Sequence, residues 1–122
     1  MTDTAALDIA RRYFEAWSGG EFDRAMELVA ADITCHSPAG LVVGAEAFRA
    51  FMGPFAGMAQ STSLLAAYGD RVNAVLVYNT ATPAVPEAPG AEWHRIADGR
   101  IAELRIIFDR LPFDLARRGQ DS

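Results

Sequence analysis

Residues 91–109 read AEWHRIADGRIAELRIIFD, and the fold turns on how this stretch is read. Two alternating arms flank Asp98-Gly99, a dipeptide suited to a two-residue hairpin turn because both positions tolerate positive φ. In a strand successive side chains point to opposite faces. Glu92, His94 and Ile96 therefore share one face of the first arm, with Ala91, Trp93 and Arg95 on the other. In the second arm Ala102, Leu104, Ile106 and Phe108 form a wholly apolar face. The opposite face mixes Ile101, Glu103, Arg105, Ile107 and Asp109. If the apolar face looks inward, the hairpin carries a carboxylate and an imidazole into the same interior. Burying such groups is costly unless they are paired. They are the leading functional clue in the chain.

The surrounding sequence limits what this interior belongs to. The 122 residues suit a single domain (1–122, core about 5–113, polar tail 114–122) with 51% hydrophobic and 22% charged residues. A net charge of −5, with all eleven cations arginine and scattered, argues against binding nucleic acid or an anionic membrane. One cysteine excludes an internal disulfide and suits a reducing compartment. The first twelve residues lack the basic start and apolar run of a signal peptide, and no apolar stretch would span a bilayer. The expectation is a soluble cytoplasmic protein.

Upstream, Leu7, Ala10, Tyr13, Phe14 and Trp17 recur at helical spacing over 4–17. Thr4 or Asp3 is placed to cap that helix, and Gly19-Gly20 to stop it. Residues 22–31 repeat the pattern. Asp32 opens a short strand, ITCHS, with Ile33, Cys35 and Ser37 on one face and Thr34 and His36 on the other. A third helix runs from 45 to about 55, with Phe48, Phe51, Met52 and Phe55 on one stripe and Pro54 placed to close or kink it. Residues 61–68 and 71–82 read as an antiparallel pair about Gly69-Asp70. Three prolines make 83–90 a loop. Pro112 ends the last strand, leaving a helical turn and tail. The order ααβαββββ is that of an α+β domain, a cone-shaped curved antiparallel sheet wrapped around three N-terminal helices. The interior of such a cone is the default ligand site.

Three stretches, RRYFEAWSGGEFDRAMELVAADITCHSPAG (11–40), GAEAFRAFMGPF (44–55) and DGRIAELRIIFD (98–109), carry a family resemblance. Together they are similar to the nuclear transport factor two-like superfamily. The nearest flavour is its SnoaL-like branch, which includes polyketide cyclases, ketosteroid isomerases and limonene epoxide hydrolases. The resemblance spans about residues 5–113. It implies a cone-shaped barrel of the cystatin-like or NTF2-like type, with a hydrophobic pocket and a homodimer formed through the outer sheet face.

Residue by residue, neither familiar catalytic set is complete. Tyr13 matches the oxyanion-hole tyrosine of ketosteroid isomerases, and Glu92 their second oxyanion-hole acid. Ser37 stands where they carry the general-base aspartate. Cys35 and Ser37 match the tyrosine and asparagine of the epoxide hydrolases. Ile106 replaces the aspartate expected there and in SnoaL-type cyclases.

The candidate catalytic residues are Glu92 and His94, as a proton-moving pair, and Tyr13, as a hydroxyl donor. Glu92 and His94 can instead be a rim ion pair, and Tyr13 a core tyrosine bonded to a backbone carbonyl. Trp17, Cys35, Ser37, Phe48, Phe51, Phe55, Leu104, Ile106 and Phe108 are the candidate pocket lining. Cys35 lacks the local positive charge that activates a thiol and reads as a small buried hydrophobe. Asp109 either caps the C-terminal turn or sits at the pocket mouth. His36 faces the surface or a partner. No ligand spacing supports a metal, and no glycine motif a phosphate cofactor, so none is expected. Two functions stay open. One is a cofactor-free isomerase, cyclase or hydratase acting on a hydrophobic, enolisable or polycyclic substrate. The other is a ligand-binding or dimerisation module without chemistry.

Overall fold

The computed structural model describes residues 4–120. Helices α1 (Ala5–Ser18), α2 (Phe22–Met26) and α3 (Ala45–Met58) and strands β1 (Val29–Ser37), β2 (Gly40–Val43), β3 (Ser61–Gly69), β4 (Asn73–Ala81), β5 (Ala88–Ala97) and β6 (Arg100–Phe108) precede a closing helix α4 (Leu111–Gln120). The six strands form one open sheet in the order β2-β1-β6-β5-β4-β3. Its concave face holds α1, which packs on β3, β4, β5 and β6, and α3, which packs on β1 and β2. An α+β fold with a curved sheet about N-terminal helices is what the sequence predicts. No described helix is long and apolar enough to cross a membrane.

The hairpin of β5 and β6 turns through Asp98 at φ 53° and Gly99 at φ 75°. Both are positive, as a type I′ turn demands, and the turn closes the Ala97–Arg100 pair. The inward parity also holds: Glu92, His94 and Ile96 are 1%, 0% and 8% exposed. The second arm departs from simple alternation. Arg95 pairs with Glu103 but Ile96 with Ile101, so β6 carries one extra residue, a β-bulge at Ala102. The bulge flips the parity, and Ile101 is fully buried in place of Ala102.

Several sequence expectations change elsewhere. The sheet is mixed, because β1 runs parallel to β6. Only a long connection permits a parallel neighbour, and α3 with four strands supplies it. The second helix stops at Met26, and β1 begins at Val29 rather than Asp32. Residues 40–43, expected to lead into α3, pair with β1 as an edge strand. α3 passes Pro54 and continues to Met58. β5 begins at Ala88, inside the expected loop. The start of α1 has no side-chain cap on Thr4. Ala6 N–H instead donates to the Asp70 carbonyl of the β3–β4 turn. Asp3, the other expected cap, and the last two tail residues lie outside the described residues.

One apolar cluster fills the cone. Tyr13, Phe14 and Trp17 of α1, Phe48 and Met52 of α3, Leu76 and Tyr78 of β4, and Leu104 and Ile106 of β6 are all buried in it. Fully burying a large apolar side chain contributes about 1.5–3 kcal/mol, so this cluster sets the position of everything polar within it.

Candidate active site

Glu92 and His94 sit in the middle of this cluster because β5 is a central strand with apolar neighbours on both sides. In register, Glu92 lies between Leu76 of β4 and Ile106 of β6, and His94 between Ala74 and Leu104. Their side chains project from the same face two residues apart and meet, with His94 Nε2 3.0 Å from Glu92 Oε1. A carboxylate only accepts hydrogen bonds, which puts the imidazole proton on Nε2. Tyr78 donates its hydroxyl to the other carboxylate oxygen, Oε2, at 2.5 Å. Both oxygens of a fully buried acid are thus satisfied, and the three side chains form a chain Tyr78–Glu92–His94.

Its charge dominates the neighbourhood. Burial first, and the Glu92 charge second, push Tyr13, Tyr78 and Cys35 above their ordinary ranges. For Tyr78 the hydrogen bond to Glu92 adds to this. The Cys35 thiol is pushed up to about 12, so it stays protonated and is no nucleophile near neutrality. Tyr13 and Tyr78 likewise keep their protons and act as neutral donors. Tyr13 meets the His94 ring edge-on, with centroids 5.6 Å apart, and tilts against Phe48. The Tyr13 hydroxyl, Trp17 Nε1 and His94 Nδ1 are buried without a hydrogen-bond partner among the described residues.

Beside this chain lies a cavity of about 130 Å³. Phe51, Met52 and Phe55 of α3, Tyr78 of β4, Ala88 and Gly90 of β5, Ile106 and Phe108 of β6, and Phe113 of α4 line it. Tyr78 belongs to both the cavity wall and the buried chain. Phe113 packs edge-on against Phe108, with ring centroids 5.7 Å apart. The segment leading to it is held by Asp109, whose Oδ1 accepts from Leu111 N–H at 3.0 Å, and by Arg110, which donates to the Pro38 carbonyl at 3.3 Å. Asp109 is therefore the cap of the C-terminal turn.

The expected site residues divide four ways. Phe51, Phe55, Ile106 and Phe108 lie on the cavity wall. Glu92, His94 and Tyr13 cluster together but are sealed from it, behind Tyr78 and Ile106. Trp17, Cys35, Phe48 and Leu104 were expected on the wall but lie in the core behind it. Trp17 reaches the lining residues Phe55 and Tyr78 only through ring contacts of 5.8 and 5.9 Å. Ser37, also expected on the wall, is spent in the β1–β2 turn. Its hydroxyl donates to the Gly40 carbonyl at 3.0 Å and accepts from Ala39 N–H at 3.1 Å. A serine three residues before a turn glycine satisfies backbone groups locally before it can serve a distant cavity.

Tyr78 and Phe113 are absent from the sequence candidates. Parity could have found Tyr78, since Ala74, Leu76, Tyr78 and Thr80 alternate inward along β4. Phe113 carried no local signal. His36 projects to the outer face, half-exposed and 3.7 Å from Glu103. No three His, Cys, Asp or Glu side chains among the described residues gather as a metal site would need.

Residues 10–104 match the model of the SnoaL-like domain. A crystal structure of a protein from Kribbella flavida DSM 17836 is 53% identical, with a TM-score of 0.95 over 98% of each chain. An NTF2-like protein of unknown function from Cytophaga hutchinsonii ATCC 33406 shares the fold at 17% identity and TM-score 0.75, over 93% of this chain and 97% of that one. So does a protein from Jannaschia sp. CCS1 proposed to be a SnoaL-like polyketide cyclase, at 16% identity and TM-score 0.79 over 94% and 92%. No protein of curated function matches the chain. With nearly its whole sheet, all of α3 and most of α1 inside the matched region, the chain belongs to the SnoaL-like domain family.

Proposed function

We propose that the cavity binds a small, largely apolar ligand and that Glu92 and His94 supply acid–base capacity for cofactor-free isomerisation, cyclisation or hydration of an enolisable compound. One observation carries this reading. Tyr78 is the polar side chain on an otherwise apolar wall, and its hydroxyl ends on the buried Glu92–His94 pair. A proton leaving the ligand passes to Tyr78 Oη as the phenolic proton passes to Glu92 Oε2, with His94 holding the carboxylate in place. Glu92 thus acts through Tyr78 rather than by touching the ligand. Apolar cavities of about 150 Å³ take up benzene. A cavity of about 130 Å³ therefore favours a single ring over a fused polycycle.

The test is hydrogen–deuterium exchange at the α-carbon of single-ring enolisable ketones, followed by NMR in deuterated buffer. General acid–base catalysis contributes about 10²–10⁴-fold, and Glu92→Gln should remove that share. Exchange that is equal in wild type and Glu92→Gln would sink the catalytic role. The second reading, a binding module without chemistry, rests on the complete burial of Glu92 and His94 and on Ile106 at the position of the family's acid. It expects ligand binding with no exchange above buffer in either protein.

The same reading includes a second copy of the chain on the outer sheet face. Val75, Trp93 and Ile107 are 41%, 47% and 59% exposed there, on adjoining strands. Light scattering should give twice the chain mass, and Ile107→Glu should halve it. A monomeric wild type excludes the dimer.

A further inference from the structure

Building on the reading of the cavity as a ligand site, we infer that it selects ligands by hydrogen-bond polarity. The occupant is a single-ring-sized molecule that presents a hydroxyl donor, a phenol or an enol, to the Tyr78 oxygen.

The argument begins with the phenol group of Tyr78. A phenol has one proton to give and lone pairs to receive. The proton is committed, since Tyr78 Oη donates to Glu92 Oε2 at 2.5 Å and the carboxylate has no proton to offer in return. Burial and the Glu92 charge keep Tyr78 protonated, so its role as donor to Glu92 does not lapse near neutral pH. What remains for a ligand is the acceptor side of the oxygen.

Tyr78 lines the cavity, and the carbon that bears its hydroxyl lies over another lining residue, Gly90. A Cβ built on Gly90, itself a lining residue, would lie 3.7 Å from Tyr78 Cζ. Gly90 therefore puts no side chain beside that carbon. The other side-chain lining atoms are aromatic rings, aliphatic carbons and the Met52 thioether, which compete little for a polar ligand group. A carbonyl ligand would set its lone pairs against those of Tyr78 and lose its hydration without a partner, whereas a hydroxyl ligand replaces its water with Tyr78.

The proposal separates tautomers of one compound. An enolisable ligand would be held in its enol form, with the hydroxyl against Tyr78, in preference to its keto form.

Three probes of similar size test this on the intact chain by isothermal calorimetry: phenol, toluene and benzaldehyde. Phenol is expected to bind about three- to tenfold tighter than toluene, the yield of one net hydrogen bond, with benzaldehyde weakest. Tyr78→Phe should bring phenol down to toluene and leave toluene unchanged. Fluorinated phenols of rising acidity give a measure on the wild type alone, independent of whether Tyr78→Phe folds. Affinity is expected to climb along that series. Equal binding of phenol and toluene, a flat series, or tighter binding of benzaldehyde would overturn the polarity while leaving the cavity as a ligand site. Failure of all three probes to bind would overturn both.

Discussion

The sheet presents two histidine–carboxylate pairs, one on each face: Glu92 with His94 on β5, and His36 of β1 with Glu103 of β6. Inside, His94 and Glu92 meet at 3.0 Å with no solvent exposure. Outside, His36 and Glu103 stand 3.7 Å apart, with 37% and 39% of their side chains exposed, and Arg95 approaches the same carboxylate at 3.9 Å. Residue types and spacing are similar, but the surroundings are not. Water screens the outer pair and can replace either partner at small cost. The inner pair has only each other and Tyr78, in surroundings where a lone charge is expensive. The difference teaches that the chemical content of a His–Glu pair lies in its burial, and that one sheet can carry an inert and a consequential version on its two faces.

The comparison breaks most directly at Glu92. Glu92→Ala leaves His94 buried without its partner and should destabilise the fold by about 3–5 kcal/mol in urea denaturation. Replacing both, as Glu92→Met with His94→Leu, should cost less than either single change, because only the neutral Tyr78 hydroxyl is left without a partner. A double variant weaker than the single ones would show that the pair itself holds the cone together.

The inner environment should also silence its cysteine. With the Cys35 thiol pushed up to about 12 from an ordinary 9.0, thiolate at pH 8 is about a thousandfold scarcer than for a free cysteine. Alkylation by iodoacetamide should therefore proceed only as fast as the protein unfolds. Prompt labelling of the native protein would mean that the inner face is open to water.

Tyr78→Phe removes one of the two donors to Glu92. A hydrogen bond to a charged group is worth about 1.5–3 kcal/mol, and thermal or urea unfolding should register a loss of that size. At the outer pair, His36→Ala or Glu103→Ala should change stability by less than about 1 kcal/mol, with the effect fading in high salt. A loss at His36 comparable to that at His94 would abolish the distinction between the faces.

The smallest effect lies at the β3–β4 turn. Asp70 Oδ1 accepts from Val72 and Asn73 N–H at 2.9 and 2.8 Å, which holds its carboxyl below the ordinary 3.8. A carboxyl depressed in the folded state contributes stability above its unfolded value and loses it as pH falls through the folded one. Asp70→Ala should therefore lower stability at neutral pH, by an amount that shrinks as pH falls below the ordinary 3.8. An equal difference at pH 7 and below pH 3 would count against the assignment.

Local chemistry made much of the molecule legible in its sequence. Asp98-Gly99 specified its own turn, because few residue pairs accept positive φ twice in succession. Strict alternation in β5 then aimed Glu92 and His94 at the interior before any partner for them was known. Alternation failed in β6, where the bulge at Ala102 turned Ile101 inward. A bulge is a property of two paired strands, and neither alone announces it. Ser37 was misjudged for a related reason. Its parity pointed inward, but a nearby turn claimed its hydroxyl first.

By itself, then, the sequence determined the hairpin, the helical stripes, the α+β class and the inward aim of one acid and one imidazole, all properties of residues within reach along the chain. Only the tertiary structure decided that β1 lies parallel to β6, that Phe113 returns from α4 to wall a cavity, and that Tyr78 stands between the cavity and Glu92. Tyr78 and Glu92 are fourteen residues apart on different strands, and their contact depends on the β4–β5 register and sheet curvature. Register and curvature are settled by the packing of the whole apolar cluster, a quantity that no single stretch of the chain contains.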